Sequence, residues 1–417
     1  MPSFTIEEGC VSQKKETILI KRRGKTVARI KLGEPTIVAQ AEREEIWGFF
    51  QFPTIGKTED GVLIVSWSFA DDSYVSYGKD YSGSKISFDG GRTWIAPDSY
   101  YFAGGSYSVK LSNGEVLYTL TPASKDIGSY ADFPSAVSDT PIEGYTFYKE
   151  SELPRELKGV YFNRRYKDGS FQEIHGVLKD SCLLRYAINY SMPIVWWGNI
   201  KKKADRTIVA GTYPAYYQNA EGKVLSSAVS FYESADDGFN WELVGSIPYQ
   251  THGESIMTNV FDGNEGFSEP AFEILRDSTF ICVMRTGSTT PMYKSISKDM
   301  GKHWSVPVPF TSNGVRPNLL LLRNGVLVLS SGRPGAQIRF STDGDGEKWT
   351  LPIDMLPFAG KRGEYDEMSV GVSCGYTDII EAGKNSFYIV YSDFKTKNEK
   401  GELRKAIMFR KVEIRKR

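Results

Sequence analysis

Short apolar segments alternate with polar turns along most of the chain, and helical periodicity is scarce. Residues 52–67, FPTIGKTEDGVLIVSW, show the plan: an apolar strand, a polar turn and a second apolar strand. Similar segments occur at residues 107–120, 193–213, 268–285, 316–331 and 375–394. Apolar runs of this length, bounded by Gly, Asn and Asp, are typical of β-strands. The pattern therefore predicts an all-β chain of six similar units that fill roughly residues 50–415.

An octet of the form Ser-x-Asp-x-Gly-x-x-Trp follows four of these six segments. It reads SFDGGRTW at residues 87–94 and recurs at 234–241, at 297–304 and, with one extra residue, at 341–349. Ser, Asp and Gly favour a tight turn, and a Trp directly after it has the bulk to pack between sheets. We therefore expect the octets to be structural hairpin turns, with Trp94 a structural plug and the Asp residues not catalytic.

Each unit reads as strand, turn, strand, loop, strand, octet and strand, which is the plan of a four-stranded propeller blade. We therefore expect one domain over residues 1–417, a six-bladed β-propeller. Residues about 25–40 have a strand pattern and are expected to complete the last blade, so that no sheet edge stays open. Residues about 128–159 are expected to be an insertion in the second blade. NRRYKDGSFQEI, residues 163–174, is interpreted as a degraded octet.

The composition narrows the classes of function. Lys and Arg number 51, as do Asp and Glu, so we expect no nucleic-acid partner. No run of 18 apolar residues occurs, so we expect no membrane span. The first ten residues lack the apolar core of a signal peptide; we expect a cytoplasmic protein if the chain is complete, and a periplasmic or secreted one if a signal peptide was removed. Three His and four scattered Cys show no metal-ligand spacing, so no metal or cofactor is expected.

The octets resemble the Asp boxes, also called BNR repeats, of the sialidase (neuraminidase) superfamily, and the resemblance covers nearly the whole chain. SEPAFEILRDSTFICVMRTG resembles the sialidase segment in which a Glu precedes a strand pair that ends in an Arg. That resemblance implies that Glu269 activates the nucleophile and that Arg285 binds a substrate carboxylate. GRPGAQIRFSTDGDG likewise implies a second such arginine, Arg333. CGYTDIIEAGKNSFYIVY resembles the segment with the tyrosine nucleophile, which implies Tyr376.

Two departures from the sialidase pattern change the expected substrate. Sialidases have an Arg in a Tyr/Phe-Arg-Ile-Pro motif, but the matching stretch here is FQFP, with Gln51 at that position. Gln donates hydrogen bonds without charge. The sialidase acid/base Asp lies on the loop before the first Asp box; here Asp72 and Asp80 are both candidates, with Asp71 behind them. The arginine triad is therefore non-standard, and we expect weak or absent activity on ordinary sialosides and better activity on another sugar.

Two further residues are candidates for substrate binding. Arg316 in VRPN begins an apolar strand, and a strand that lines the propeller axis would place its guanidinium in the same channel. His252 in YQTHGES lies on a long loop, where it can bind substrate or act as a base. A retaining sialidase uses Tyr where most glycosidases use a carboxylate, and a neutral nucleophile avoids repulsion from an acidic sugar. A neighbouring Glu takes the phenolic proton, because Tyr is otherwise a weak nucleophile.

These residues favour a sialidase-like, exo-acting glycoside hydrolase that removes a terminal sugar, acidic or neutral, from a glycan with retention. The second hypothesis is a propeller polysaccharide lyase on uronate-containing glycans, with His252 or Tyr376 as base and the arginines as charge neutralisers. The third is a non-catalytic glycan-binding propeller, which the missing arginine would suit. All three hypotheses have a glycan or oligosaccharide as the partner.

Overall fold

The computed structural model describes residues 17–79, 81–99, 104–137, 142, 144–250, 265–288, 290–356 and 371–417. Within these ranges the regular structure is nearly all β-strand, as the apolar pattern predicts. Short 3₁₀ helices lie at Tyr74–Ser76, Ile127–Ser129, Glu150–Glu152 and Arg155–Leu157.

The chain begins with three strands that later join its last sheet, and continues with a sheet of its own. The first six strands are β1 (Thr17–Arg22), β2 (Lys25–Leu32), β3 (Thr36–Gln40), β4 (Phe49–Lys57), β5 (Leu63–Phe69) and β6 (Ser82–Ser87). Strands β4, β5 and β6 pair antiparallel in that order. In β5 the side chains of Leu63, Val65 and Trp67 are buried while those between them are less so. That alternation is the period of a strand with one face on the core.

The next eight strands build one regular unit and one additional sheet. They are β7 (Ser108–Lys110), β8 (Val116–Leu120), β9 (Lys125–Asp126), β10 (Tyr145–Lys149), β11 (Val160–Arg165), β12 (Phe171–Lys179), β13 (Leu184–Ile188) and β14 (Ser191–Met192). Strands β7, β8, β11 and β12 pair antiparallel in that order. Strands β10, β13, β14 and β9 form a separate sheet. The segment between β8 and β11 thus contributes β9 and β10 to this separate sheet.

Three four-stranded antiparallel units follow, each in chain order. The strands are β15 (Trp197–Lys202), β16 (Ile208–Ala215), β17 (Ala228–Ser234), β18 (Asn240–Ile247), β19 (Ser268–Ile274), β20 (Phe280–Arg285), β21 (Tyr293–Ser297), β22 (Val308–Pro309), β23 (Val315–Leu321), β24 (Leu327–Gly332), β25 (Ala336–Ser341) and β26 (Ile353–Leu356). Strand β18 also pairs in parallel with β12, which joins this unit to the preceding one.

The last sheet combines the two ends of the described chain. Strands β27 (Thr377–Gly383), β28 (Ser386–Lys397) and β29 (Leu403–Lys416) pair in order. Strands β2 and β3 both pair antiparallel with β29, and β1 pairs with β2. Residues 25–40 therefore supply outer strands to the sheet that the C-terminal strands begin.

The octets at residues 234–241, 297–304 and 341–349 form closed turns between the third and fourth strands of their units, and the octet at residues 87–94 follows β6, the last strand of a three-stranded sheet. At residues 297–304, Ser297 Oγ donates to Asp299 Oδ1 at 2.8 Å, and the Gly301 N–H donates to Ser297 Oγ at 2.8 Å. Trp304 Nε1 donates to the Gly301 carbonyl at 2.9 Å. These bonds hold the pKa of Asp299 well below its usual range, with the His303 N–H the largest cause. The octet carboxylate therefore accepts hydrogen bonds from within its own turn.

The first strand of each unit lies next to the first strand of a neighbouring unit. We call β4, β7, β15, β19, β23 and β27 the inner strands; contacts join β7 to β15, β15 to β19, β19 to β23, β23 to β27 and β27 to β4. Side chains bridge between them: Asn199 exchanges hydrogen bonds with the backbone of Phe272 at 2.7 and 2.9 Å, and Asn318 Nδ2 donates to the Thr377 carbonyl at 2.6 Å. The Ile55 N–H donates to Asp378 Oδ2 at 2.9 Å. These bonds fix the relative positions of the inner-strand ends.

Candidate active site

Three inner strands begin with the same unusual backbone. Phe52, Glu269 and Arg316 have φ angles of 52°, 46° and 48°, and a proline follows each of them. The strand register shifts at each of the three points. A left-handed residue within a register shift turns its side chain out of the regular alternation, and such strained positions concentrate at functional sites. The three side chains are thus presented at one end of the inner strands.

Tyr376 and Glu269 form the centre of the site. Tyr376 immediately precedes β27, and its hydroxyl donates a hydrogen bond to Glu269 Oε1. Glu269 is only 4 % exposed, and its other oxygen, Oε2, accepts the Arg316 N–H at 2.8 Å. Burial raises the pKa of the Tyr376 hydroxyl, and the negative charge of Glu269 raises it further. The phenol is therefore neutral at rest, with a carboxylate in place to accept its proton.

Two arginines lie beside this pair. Arg285 at the end of β20 donates from Nη1 to Glu269 Oε1 at 2.9 Å and from Nη2 to Ser288 Oγ at 3.1 Å. Arg333 follows β24, and its Nη1 donates to the same Ser288 oxygen. Burial lowers the pKa of Arg333, and the neighbouring charge of Arg285 lowers it further. Two cations held this close provide strong donors for an anionic or hydroxyl-rich group.

Arg316 and Phe52 complete the surroundings of Tyr376. The Arg316 guanidinium lies 5.7 Å from the centre of the Tyr376 ring and 5.1 Å from that of the Tyr107 ring. The Phe52 ring meets the Tyr376 ring edge-on at 4.8 Å. Burial lowers the pKa of Arg316. The structure therefore brings Arg316, as expected from its strand start, to the same cluster as Tyr376, Glu269, Arg285 and Arg333.

Gln51, a candidate for substrate binding, lies close to Lys405. Its side chain is fully buried. With the amide oriented so that its oxygen faces the donors, Oε1 accepts from Lys405 Nζ at 2.9 Å and from the Gly48 N–H at 3.3 Å. Lys405 also donates to the Ile46 carbonyl at 2.7 Å. The Gln51 amide thus fixes the start of β4 to β29.

Asp72 is exposed at the margin of this cluster. Its Oδ2 accepts a hydrogen bond from Trp47 Nε1 at 3.0 Å, and the Arg333 guanidinium lies 5.9 Å from the Trp47 ring. Asp71 accepts from Ser76 Oγ at 2.6 Å within the same loop. Asp80 and His252, the other two candidates, lie outside the described residues.

One carboxylate of this region was missed by sequence reasoning. Glu265 lies four residues before Glu269 and interacts electrostatically with it and with Arg285. Burial raises the pKa of Glu265, and Glu269 adds to this effect while Arg285 opposes it. The stretch NEGFSEP that contains it has no apolar pattern or motif that marks Glu265.

The described part of the chain contains no group of three or more His, Cys, Asp or Glu side chains arranged to hold a metal ion. Nor does any helix in the described ranges have the length and apolarity needed to cross a membrane.

Comparisons with known proteins establish the fold class. No family model matches the sequence, and no curated protein matches it. A Dyadobacter fermentans protein of unknown function is similar in structure, with a TM-score of 0.58, 17 % identity and coverage of 93 % of this chain and 99 % of that one. A Hadza microbial sialidase matches with a TM-score of 0.50, 15 % identity and coverage of 87 % and 65 %. A variant of NanB sialidase from Streptococcus pneumoniae matches with a TM-score of 0.46, 16 % identity and coverage of 90 % and 70 %. The likeness to the Hadza sialidase shows that the chain has a sialidase-like β fold.

Proposed function

We propose that this protein is a retaining glycoside hydrolase in which Tyr376 attacks the anomeric carbon and Glu269 accepts the phenolic proton. The observation that carries the proposal is the hydrogen bond from the Tyr376 hydroxyl to Glu269 Oε1. A nucleophile of high pKa needs a base in contact with it, and the two groups meet here from different inner-strand starts. Arg285 bonds to the same oxygen and stabilises the carboxylate at rest.

The substrate is a terminal sugar with an acidic or hydroxyl-rich substituent. Arg285 and Arg333 converge on Ser288, and Arg316 approaches Tyr376 from another side. Guanidinium groups bind carboxylates through paired, charge-assisted hydrogen bonds. Because the Gln51 amide is occupied by Lys405, the first arginine of the sialidase pattern has no direct replacement at that position. This favours a sugar other than sialic acid.

The fold that presents these groups is a single six-bladed β-propeller. The repeated strand order, the contacts between inner strands and the pairing of β2 and β3 with β29 support it. Five of the six sheets form these blades, since the eight-stranded sheet counts as two and the separate sheet of β9, β10, β13 and β14 is not counted. Residues about 25–40 close the last blade, and residues about 128–159 are an insertion in the second.

The proposal is tested with a panel of chromogenic glycosides of acidic and neutral sugars, together with uronate polysaccharides. We expect release of a terminal acidic or hydroxyl-rich sugar from at least one glycoside, and only slow release from sialosides. Nuclear magnetic resonance of the first-formed product should show the anomeric configuration of the substrate. A product with inverted configuration contradicts a tyrosine nucleophile. A product that absorbs in the ultraviolet indicates a lyase instead, and binding without turnover indicates a glycan-binding protein.

A further inference from the structure

Trp47 is an exposed aromatic side chain at the margin of the site. It lies just before β4 and is 37 % exposed, although tryptophan is mostly buried in folded proteins. The guanidinium of Arg333, which is itself buried, lies 5.9 Å from the centre of the Trp47 ring. An exposed indole next to a buried cation of the site is available for contact with whatever that cation binds.

The backbone around Trp47 is held against the loop that contains Asp72. Gly48 has a φ of 97°, and a Cβ there would lie 2.0 Å from the Ala70 carbonyl oxygen and 2.9 Å from the Asp72 nitrogen. Only glycine allows this close approach. Across the same contact, Trp47 Nε1 donates a hydrogen bond to Asp72 Oδ2 at 3.0 Å. The polar edge of the indole is therefore anchored by the loop.

A second anchor comes from the C-terminal strands. The Lys405 ammonium on β29 donates to the Ile46 carbonyl at 2.7 Å and to the Gln51 amide oxygen at 2.9 Å. It also lies 4.6 Å from the centre of the Phe394 ring on β28. Phe394 in turn meets the Trp47 ring edge-on, with the ring centres 6.3 Å apart. The lysine that occupies Gln51 thus also fixes the segment and the aromatic neighbour that orient Trp47.

We infer that Trp47 is the platform on which the terminal sugar stacks, with the apolar C–H face of the sugar ring against the indole. The inference rests on the proposed hydrolase function, in which Arg333 binds a substituent of that sugar. A sugar held by Arg333 lies next to an indole whose ring centre is 5.9 Å from the guanidinium. Trp provides a large apolar face, and an indole that is already oriented loses little freedom when it binds.

The platform contributes a different kind of specificity from the arginines. Arginine forks distinguish an anionic substituent from a neutral one. An apolar contact with the C–H face of a sugar ring does not depend on the charge of its substituents. The Gln51 amide is bonded to Lys405, which also holds the Trp47 segment. At the position of the first sialidase arginine, this chain therefore has a residue that supports an aromatic contact instead of a charged one.

The competing interpretation is that Trp47 acts only through Asp72. Its N–H orients that carboxylate, and Asp72 is one of the candidates for the acid/base residue. Phenylalanine at position 47 separates the two roles, because it keeps an aromatic face and removes the Nε1 donor. Alanine removes both the face and the donor.

The experiment measures kcat/KM of the parent, W47F and W47A in the full chain on matched acidic and neutral nitrophenyl glycosides. For W47A we expect a loss of about 30-fold or more on both, and the same loss on a disaccharide with that terminal sugar. For W47F we expect a loss below about fivefold, since an aromatic face remains. Phe171→Ala removes an exposed ring from the outer strand β12 and is the control.

Three results would overturn the platform. Equal losses in W47F and W47A would show that Trp47 acts by positioning Asp72. W47A activity within about threefold of the parent would show that the indole does not contact the sugar. A loss confined to the disaccharide would place the indole under the leaving sugar. If W47A does not fold, as judged by its melting temperature, Trp47→Leu replaces it, because leucine keeps apolar bulk without a flat ring, and the same loss is expected.

Binding separates this inference from the proposed reaction. Tyr376→Phe is expected to bind the nitrophenyl glycosides without cleaving them, so calorimetry on this variant and on its combination with W47A measures the platform alone. We expect the dissociation constant to rise about 30-fold or more in the double variant. If the parent cleaves nothing but this difference in binding is found, the hydrolase is overturned and the platform is kept. Cleavage by the parent with equal affinity in the two variants would overturn the platform and keep the hydrolase.

Discussion

Arg285 and Arg333 donate to one and the same oxygen, Ser288 Oγ, at 3.1 and 2.5 Å. Glu269 balances one of these charges through its bond to Arg285. The Arg333 guanidinium is the second cation, and it is held close to Arg285 despite the repulsion between them. Burial lowers the pKa of Arg333, and the neighbouring charge of Arg285 lowers it further. A bound carboxylate or sulfate would relieve that repulsion, whereas a neutral sugar would not.

Arg333→Gln should therefore discriminate between acidic and neutral substrates. We expect kcat/KM for an acidic sugar to fall about 30- to 300-fold, the equivalent of one charged hydrogen-bonding group, with a loss below about fivefold for a neutral sugar. The measurement is steady-state kinetics on matched acidic and neutral glycosides. Arg323→Gln, at an exposed arginine paired with Glu381, is the control. Equal losses on both substrates would show that Arg333 is structural.

Gln51→Arg should destabilise the protein rather than create a sialidase. The buried amide is bonded to Lys405, so a guanidinium there would place a second cation beside the ammonium group. We expect the free energy of unfolding to fall by about 2 kcal/mol or more, since an unpaired buried charge is costly. Adding Lys405→Gln should recover part of that loss, which a double-mutant cycle in denaturant measures. A Gln51→Arg protein with parental stability and new sialoside cleavage would contradict this environment.

Asp378 should give the protein a distinctive pH dependence. Burial raises its pKa to about 6, although the Ile55 N–H, Arg316 and Ser106 oppose that shift. The pKa of Asp378 is higher in the folded state than in the unfolded state. Its contribution to the free energy of unfolding is therefore fully present below about pH 4 and is lost as the pH rises through 6. Asp378→Asn should remove this part of the pH dependence of the free energy of unfolding. Denaturant unfolding should show that the free energy of unfolding decreases less between pH 4.5 and 7 in the variant than in the parent. An equal decrease in both proteins would contradict the burial of this charge.

The octet tryptophans should differ in their contribution to stability. Trp241 is fully buried, its Nε1 donates to the Gly238 carbonyl at 2.9 Å, and its ring stacks on Phe162. Trp94 is half-buried against Phe409, with ring centres 5.2 Å apart. We expect Trp241→Ala to cost roughly 4 to 5 kcal/mol and Trp94→Ala roughly 2 to 3. Thermal and denaturant unfolding check the order; a cost below about 1 kcal/mol for Trp94→Ala would mean that its ring is not a plug.

Much of the fold was predictable because strand patterns and octets are local. The alternation of buried side chains in β5 predicts that strand from neighbouring residues alone. The Ser, Asp and Gly of an octet likewise form its turn through bonds within a few residues. The additional sheet was not predictable, because β10 and β13 pair across a whole intervening hairpin. The octet at residues 341–349 also differs in detail: Asp345, rather than Asp343, accepts the turn N–H of Glu347. Asp343 instead pairs with Arg22, a contact that depends on the N-terminal strands.

The candidate site was predictable only where a residue has a sequence signal. Glu269 was implied by the sialidase resemblance and Arg316 by its place at the start of an apolar strand, and the structure gives both a left-handed backbone. Glu265 has no such signal, since its position depends on the packing of Gly266 against Ser227. Gln51 was correctly noted as a departure from the sialidase pattern, but its partner Lys405 lies on β29, far away in the sequence.

The central claim is that Tyr376 forms a covalent bond to the sugar, and rapid-quench mass spectrometry tests it most directly. A good substrate is mixed with the parent, with Tyr376→Phe and with Tyr388→Phe, a half-buried tyrosine that packs against Phe409. We predict a peptide containing Tyr376 that gains the mass of one sugar residue in the parent and in Tyr388→Phe, and turnover at least about a thousandfold lower in Tyr376→Phe. A sugar attached to another residue, or Tyr376→Phe activity within tenfold of the parent, would contradict the account.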